Sequence, residues 1–282
     1  MRQQGGSTSI WETMLAIDRR WIFLTIAAVV AAPFIFGWTL PIGTVSPPTK
    51  KLYDFIEKLQ PGTPVVISFD FGPASMPELQ PMAEALARHI LSRRLRLIGL
   101  SLYPEGAVLC QEAFSKSAQA LGAKEGELWV NLGFKPGWSS VILGIGTDIT
   151  QVFKTDHRQI PVAQIPAMKG VRNYNDIGLV IDLASSNTPG DWIRYAQTGF
   201  KQAVAAGITA VMATDYYPYL QSGQLVGLLN GLKGAAEYER LVRYKGLASL
   251  GMTSQSIAHI AIIVFVLLGN IGYFAARRGR RR

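Results

Sequence analysis

The chain has 282 residues, of which 49% are hydrophobic and 17% are charged, and its formal net charge is +9 at neutral pH. So high a hydrophobic fraction with so few charges excludes a largely disordered protein. The one cysteine excludes an intramolecular disulfide framework and a cluster of thiolate metal ligands.

Hydrophobic residues are concentrated near the two ends of the chain. Residues 21–43 contain no charged side chain, and residues 257–274 form a second run without Asp, Glu, Lys or Arg. A helix needs about 20 apolar residues to cross the hydrocarbon core of a bilayer. We therefore predict two transmembrane helices. The alternatives are a secretory signal for the first run and buried core helices for both runs.

The arrangement of charge around these spans predicts the orientation of the chain. Outside positions 50–255 there are eight basic and only two acidic residues. Basic residues beside a span usually stay in the cytoplasm, whereas a translocated domain of about 200 residues is largely exempt from this rule. We predict a two-pass protein of the inner membrane, with both termini cytoplasmic and the central domain extracytoplasmic. Its predicted parts are a tail (1–20), a first span (21–43), a soluble α/β domain (44–255), a second span (256–275) and a basic tail (276–282).

The basic C-terminal sequence AARRGRRR also has the composition of a nucleic-acid-binding patch. Arginine blocks that directly follow a span are usually topology determinants attracted to anionic lipid. We therefore predict a contact with the bilayer and no nucleic-acid partner.

Strand-like and helix-like segments alternate between the two spans. Helices are predicted at 76–94, 106–121, 137–153, 191–206 and 220–243, and the strands are TPVVISFDF, RLRLIGLSLY, ELWVNLGF, IGLVIDLA and ITAVMATDYY. Such alternation is typical of a parallel sheet covered by helices on both faces. We predict an α/β fold with a doubly wound, mostly parallel five-stranded sheet of order 3-2-1-4-5, flanked by the N- and C-terminal transmembrane helices.

Polar residues follow the predicted strands on both sides of the switch point, where the strand order reverses and ligands bind in such sheets. Asp70 ends the first strand, Asp182 lies near the end of the fourth with Ser185 and Asn187 just beyond, and Asp215 ends the fifth. Three carboxylates at this edge suit a hard cation such as Mg²⁺, or acid and base chemistry. The alternative is that these aspartates cap turns or the following helices.

A second candidate site begins the predicted helix 137–153. Gly137, Ser139 and Ser140 stand where the free amides of a helix N-terminus receive an anion. The segment lacks the Gly-Lys-Ser or Gly-Lys-Thr ending of a P-loop and the spacing of a nucleophile elbow. Helix capping alone is the alternative.

A row of small residues lies in the last predicted helix of the domain. Gly223, Gly227, Gly231 and Ala235 recur every four residues. Glycine in a helix interior costs about 1 kcal/mol relative to alanine, so the row predicts close packing against another helix. That partner helix is either internal or part of an oligomer or membrane complex.

The long connection 154–176 contains two prolines and little periodicity. Structureless segments of this length are often lids or contact surfaces. A lid over the switch point and a loop that merely covers one sheet edge are the two alternatives.

Three stretches, AIDRRWIFL, SFDFGPAS and YPYLQSGQLVGLLNGLKGAAEYE, carry a resemblance that extends over nearly all of the chain. The chain resembles a family of uncharacterised two-span bacterial membrane proteins with a central α/β domain. The resemblance implies a bacterial envelope protein and brings no activity, ligand or catalytic residue.

Two functions from different classes follow from the sequence. The first is a non-catalytic component of a bacterial envelope or transport-type membrane complex, acting through its α/β domain on a membrane protein partner or a second copy of itself. The second is a membrane-anchored enzyme or small-ligand sensor with its site at the switch point. The sequence assigns no cofactor, and its catalytic residues and metal are unknown.

Overall fold

The computed structural model describes residues 18–41 and 43–279. Most of the predicted N-terminal tail (1–17) and the last three residues of the basic tail (280–282) lie outside the described residues. The chain forms two compact units, which are described separately. One contains the described residues up to Leu40 and from Leu250 onwards, and the other is Pro41–Ser249.

The helices and strands are numbered here in chain order. They are α1 (Arg19–Phe36), α2 (Pro47–Glu57), β1 (Pro64–Asp70), α3 (Met76–Ser92), β2 (Arg96–Ser101), α4 (Gly106–Leu121), β3 (Trp129–Phe134), α5 (Trp138–Val152), β4 (Leu179–Ala184), α6 (Thr188–Trp192), β5 (Val204–Ile208), α7 (Ala213–Gln221), β6 (Leu228–Asn230), α8 (Gly231–Leu241) and α9 (Leu247–Gly279). A π-helical turn, Ile193–Thr198, continues α6.

The first unit is built from two long apolar helices. By length and composition, α1 and the Leu247–Ala275 part of α9 are able to cross a membrane. Within this unit, the Leu40 amide donates to Thr253 Oγ1 at 3.0 Å, and the Ser254 hydroxyl donates to the Val30 carbonyl at 2.9 Å. The chain thus has two candidate apolar terminal helices, as the sequence predicted.

The second unit is an α/β domain with a parallel sheet of order β3-β2-β1-β4-β5-β6. Helices α3, α4 and α8 pack together, and α5 packs with α6 and the π-helical turn. Because the strand order reverses between β1 and β4, the two groups of helices cover opposite faces of the sheet. The predicted α/β class and doubly wound order are confirmed, but the sheet has six strands instead of five.

The fifth strand lies earlier than predicted. The predicted strand ITAVMATDYY begins at the last residue of β5 and runs into α7. The first three residues of the true strand, Val204–Ile208, fall in the predicted helix 191–206. Its sequence VAAGI has no clear intrinsic preference, because the two alanines favour a helix whereas valine and isoleucine favour a strand. Complete burial in the sheet makes it a strand, because β propensity depends strongly on context.

The predicted helix 220–243 is wrong, and so is the helix-packing row on it. Gly223 and Gly231 have left-handed φ angles of 78° and 55°, and β6 lies between them. Gly227 precedes β6, where an added Cβ would stand 2.7 Å from the Leu52 backbone nitrogen. Ala235 is buried in the separate helix α8. The glycines therefore serve turns and a close approach of α2, not a helix–helix stripe.

The connection 154–176 packs along one edge of the sheet. Its Val162, Ile165 and Tyr174 side chains belong to the hydrophobic core on the α5 face. The His157 amide donates to the Asn131 carbonyl of edge strand β3 at 3.0 Å. These contacts favour the edge-covering alternative over a lid.

Candidate functional site

The register of the central strands brings Asp70 and Asp182 to one place. In the β1–β4 pairing, Ser68 lies opposite Asp182, and Asp70 lies opposite Ala184. Because side chains alternate along a strand, both aspartates point to the sheet face that α5 and α6 cover. The predicted meeting of these two residues at the switch point is therefore observed.

Asp70 accepts hydrogen bonds with both carboxylate oxygens. Its Oδ2 accepts from the Ser68 hydroxyl and its Oδ1 from the Leu102 amide, both at 2.7 Å. The Trp192 indole N–H lies close enough to lower the pKa of Asp70, although it falls short of a formed hydrogen bond. Burial outweighs these effects and raises the pKa of Asp70.

Asp182 is the less satisfied member of the pair. It is fully buried, and neither of its oxygens has a well-formed hydrogen bond. Burial raises its pKa well above the ordinary value, and the negative charges of Asp70 and Asp191 raise it further. Burial and the neighbouring negative charges therefore favour the neutral form of Asp182 more strongly than they would for an exposed carboxyl.

Two buried aromatic side chains, which we call the cover, lie close to this pair. Trp192 and Tyr216 are both buried in the core on the same face of the sheet. Burial and the charge of Asp182 raise the pKa of Tyr216 to about 12. Because Asp70 and Asp182 have no exposed surface, we call them the sealed acidic pair.

The predicted three-carboxylate cluster does not form. Asp215 lies exposed in the first turn of α7 instead of ending a strand, and Ser185 and Asn187 are exposed beyond β4. Among residues 18–41 and 43–279, no group of three His, Cys, Asp or Glu side chains is placed to hold a metal ion. The expected hard-cation site built on three aspartates is therefore wrong.

An open cleft is present at the carboxyl edge of the sheet. It has a volume of about 470 Å³ and is lined by Gly137, Trp138 and Ser139 at the start of α5 and by Asp191 and Tyr195 after β4. We call it the α5–α6 cleft. Its volume lies within the range usual for small-molecule sites, but the cleft is shallow and widely open to solvent.

Leu102 connects the α5–α6 cleft with the sealed acidic pair. Its amide donates to Asp70, and its carbonyl accepts from the Trp138 indole at 3.2 Å. The Trp138 ring also stacks on Tyr103, with ring centres 5.6 Å apart and an angle of 22° between the planes. The indole wall of the cleft is therefore held in place by contacts on two sides.

The start of α5 includes all three predicted anion-binding residues. Gly137 has a φ of 92°, and no side chain caps the helix. Gly137 and Ser139 line the cleft, whereas Ser140 is exposed but is not a lining residue. Because the carboxylate of Asp191 lines the same cleft, a simple anion meets a like charge there, and the anion site stays a prediction.

The opposite wall is formed by α6 and the π-helical turn. Asp191 is half-buried, and no ion pair joins it to another described residue. Tyr195 lies in the turn Ile193–Thr198, where one extra residue per turn displaces the side chains from their α-helical positions. Such π-helical turns are rare and are frequently found at functional sites.

Sequence reasoning missed Asp191 and Tyr195 as lining residues and Trp192 and Tyr216 as the cover of the pair. Asp191 lies in the first turn of a helix just after β4, which is a recognisable position at a switch point. The other three have no comparable signal. Their placement depends on the π-helical turn and on the corrected end of β5.

Comparisons of the chain with protein-family models, with curated proteins and with solved structures find no match. The resemblance to a two-span bacterial family therefore stays a prediction.

Proposed function

We propose that this chain is a membrane-anchored, non-catalytic protein whose α/β domain binds a small polar ligand in the α5–α6 cleft, as a component of a bacterial envelope or transport-type complex. The open cleft of about 470 Å³ at the switch point is the observation that carries the proposal. It combines two aromatic walls with a few polar groups, a composition typical of ligand sites.

The chemistry of this edge favours binding over catalysis. Asp70 and Asp182, the predicted acid and base, have no exposed surface and lie next to the buried Trp192 and Tyr216 side chains. A general acid or base must lie within hydrogen-bond reach of its substrate, or one water away. The cleft itself offers one carboxylate, Asp191, and the hydroxyls of Ser139 and Tyr195, but its lining residues include no His, Lys or Cys that could act as a base or an activated nucleophile.

The two apolar terminal helices support the anchor. We propose that both cross the inner membrane, with the termini in the cytoplasm and the α/β domain outside it. In spheroplasts, a membrane-impermeant maleimide is expected to label Thr44→Cys and not Ser7→Cys. Labelling of Ser7→Cys with protection of Thr44→Cys would reverse the orientation. Labelling of both variants would mean that the first apolar helix does not cross the membrane and would contradict two membrane crossings. The native Cys110 does not obscure the result, because it is buried.

Ligand binding is tested with the full chain in lipid nanodiscs. A panel of small polar molecules is screened by thermal shift, and each stabilising compound is tested again on Trp138→Leu and Phe134→Leu. Phe134 is a matched aromatic control, because it is 37% exposed, close to the 43% of Trp138, and does not line the cleft. We expect compounds that stabilise wild type and Phe134→Leu but not Trp138→Leu. If no compound binds, or if Trp138→Leu retains every interaction, the proposed function is wrong.

A specific surface feature favours a protein partner as a second function of the same edge. Val108, in the first turn of α4, is 71% exposed, and Val211, after β5, is 87% exposed. Single exposed apolar residues are common, but these two follow strands that end at the same edge of the sheet. We expect Val108→Glu with Val211→Glu to leave the fold intact and to dissociate a homo-oligomer or complex seen by native mass spectrometry. An unchanged assembly would remove this second function.

A further inference from the structure

We infer that the α5–α6 cleft recognises a small organic ammonium ion that carries a hydrogen-bond acceptor, with choline as the simplest probe. The inference rests on the proposed function, because it names the class of ligand for that site.

The first supporting feature is an uncompensated carboxylate. Asp191 lines the cleft without an ion-pair partner among the described residues, and none of the five lining residues is basic. The sealed acidic pair lies near enough for Asp191 to act electrostatically on Asp182. A cation entering the cleft therefore meets an unpaired carboxylate at its wall and no competing positive charge among the lining residues.

The second feature is the pair of aromatic walls. A cation within about 6 Å of an indole or phenol ring is attracted to the negative face of the ring, and sites for quaternary ammonium ions commonly combine several such rings. The cleft presents Trp138 and Tyr195. Trp138 is held by its stack on Tyr103 and its hydrogen bond to Leu102, so its ring does not need to be ordered on binding.

The third feature selects among cations. The Ser139 hydroxyl lines the cleft together with Asp191, and no side chain caps the first turn of α5, so hydrogen-bond donors are present at the same site. These donors oppose a bare cation but suit a molecule with an acceptor oxygen a few bonds from its nitrogen. Choline has this arrangement, and 3,3-dimethyl-1-butanol is its uncharged analogue, with carbon in place of the quaternary nitrogen.

The test is isothermal titration calorimetry on the full chain in phosphatidylglycerol nanodiscs, which contain no choline headgroup. Choline chloride and 3,3-dimethyl-1-butanol are titrated at equal ionic strength. We expect choline to bind and the alcohol to bind at least about tenfold more weakly. Asp191→Asn and Trp138→Leu should each raise the Kd for choline at least about tenfold. Asp215→Asn, which removes an exposed carboxylate outside the cleft, should leave the Kd unchanged.

Three outcomes overturn the inference. They are no binding of choline by wild type, equal binding of the uncharged analogue, and an unchanged Kd in a folded Asp191→Asn variant, with circular dichroism as the check of folding. The same experiments distinguish failure of this inference from failure of the proposed function. If the screen yields another compound whose binding is lost in Trp138→Leu, the cleft is still a ligand site and only the ammonium class is wrong. If no compound binds, both proposals fail.

Discussion

The sealed acidic pair and the α5–α6 cleft lie at the same edge of one sheet and share Leu102, yet they differ in almost every physical property. The pair has two carboxyls, no exposed surface and pKa values that burial raises. The cleft has one unpaired carboxylate, two accessible rings and about 470 Å³ of open volume. Carboxylates at a switch point are therefore not by themselves a functional site. In this domain the carboxylates at the switch point differ in exposure, since Asp70 and Asp182 are fully buried and Asp191 lines an open cleft.

The largest expected loss of stability comes from removing Trp192, one of the two aromatic side chains next to the sealed acidic pair. Trp192→Ala should lower the free energy of unfolding by about 3–5 kcal/mol, because it empties a fully buried indole volume next to two buried carboxyls. The matched variant Trp138→Ala, at the cleft, should cost about 1 kcal/mol or less because its ring is partly exposed. Urea denaturation of the full chain in nanodiscs measures both. Equal losses would mean that the two regions do not differ in packing.

The cover over the pair also depends on the chain path between β5 and β6, because Tyr216 lies in α7 between them. Gly227→Ala should destabilise the domain by about 1–3 kcal/mol, since its Cβ would stand 2.7 Å from the Leu52 nitrogen. Gly223→Ala meets no atom within 4 Å and should cost about 1 kcal/mol, from its positive φ alone. If both variants are more stable than wild type in the same denaturation experiment, residues 220–243 form a helix after all.

If Asp70 has a structural role, its replacement should lower the free energy of unfolding by an amount comparable to the Gly227→Ala loss or smaller. Asp70→Asn keeps the shape of the side chain but offers one acceptor oxygen to the two donors, Ser68 and Leu102, that Asp70 now satisfies. We expect a loss of about 1–3 kcal/mol in the free energy of unfolding, together with unchanged ligand binding at the cleft. A stable Asp70→Asn variant that no longer binds ligand would instead make the pair part of the site.

The smallest expected change in stability is at Asp182, where a substitution should stabilise the folded domain instead of destabilising it. Its pKa is raised in the folded state, so the stability it contributes is fully present below the ordinary value of 3.8 and is lost as the pH rises towards the folded-state pKa. Asp182→Asn should therefore melt at a higher temperature than wild type at pH 8, and the difference should shrink towards pH 4. Each kcal/mol corresponds to about 2–4 °C in a domain of this size. Asp215→Asn, outside the pair, is the control, and identical pH profiles for wild type and Asp182→Asn would contradict the burial of this carboxyl.

Much of the sheet and of its strand order was predictable from the sequence, because these features depend on local patterns of hydrophobic residues. Runs such as VVISFD and LVIDLA are strands buried on both faces, and their alternation with helices is enough to specify a parallel, doubly wound sheet. The meeting of Asp70 and Asp182 followed from the same rule, since the ends of neighbouring parallel strands meet at one edge.

The errors lie where tertiary context outweighs local preference. The short β5, VAAGI, has mixed intrinsic propensity and is a strand because it is buried between β4 and β6. The four-residue spacing of Gly223, Gly227 and Gly231 imitates a helix stripe, although two of these glycines have φ angles that right-handed helices do not contain. The cleft was missed in part because a π-helical turn, which carries Tyr195, has no sequence signature.

The central claim is that ligand binds in the open cleft and not at the sealed acidic pair. The most direct test takes the compound that binds wild type most tightly in the screen and measures its Kd for two variants, Trp138→Leu and Asp182→Asn, in full-length protein in nanodiscs. We predict that Trp138→Leu weakens binding at least about tenfold, whereas Asp182→Asn changes it less than about threefold. Loss of binding in Asp182→Asn with full binding in Trp138→Leu would place the ligand at the carboxyl pair and contradict the account.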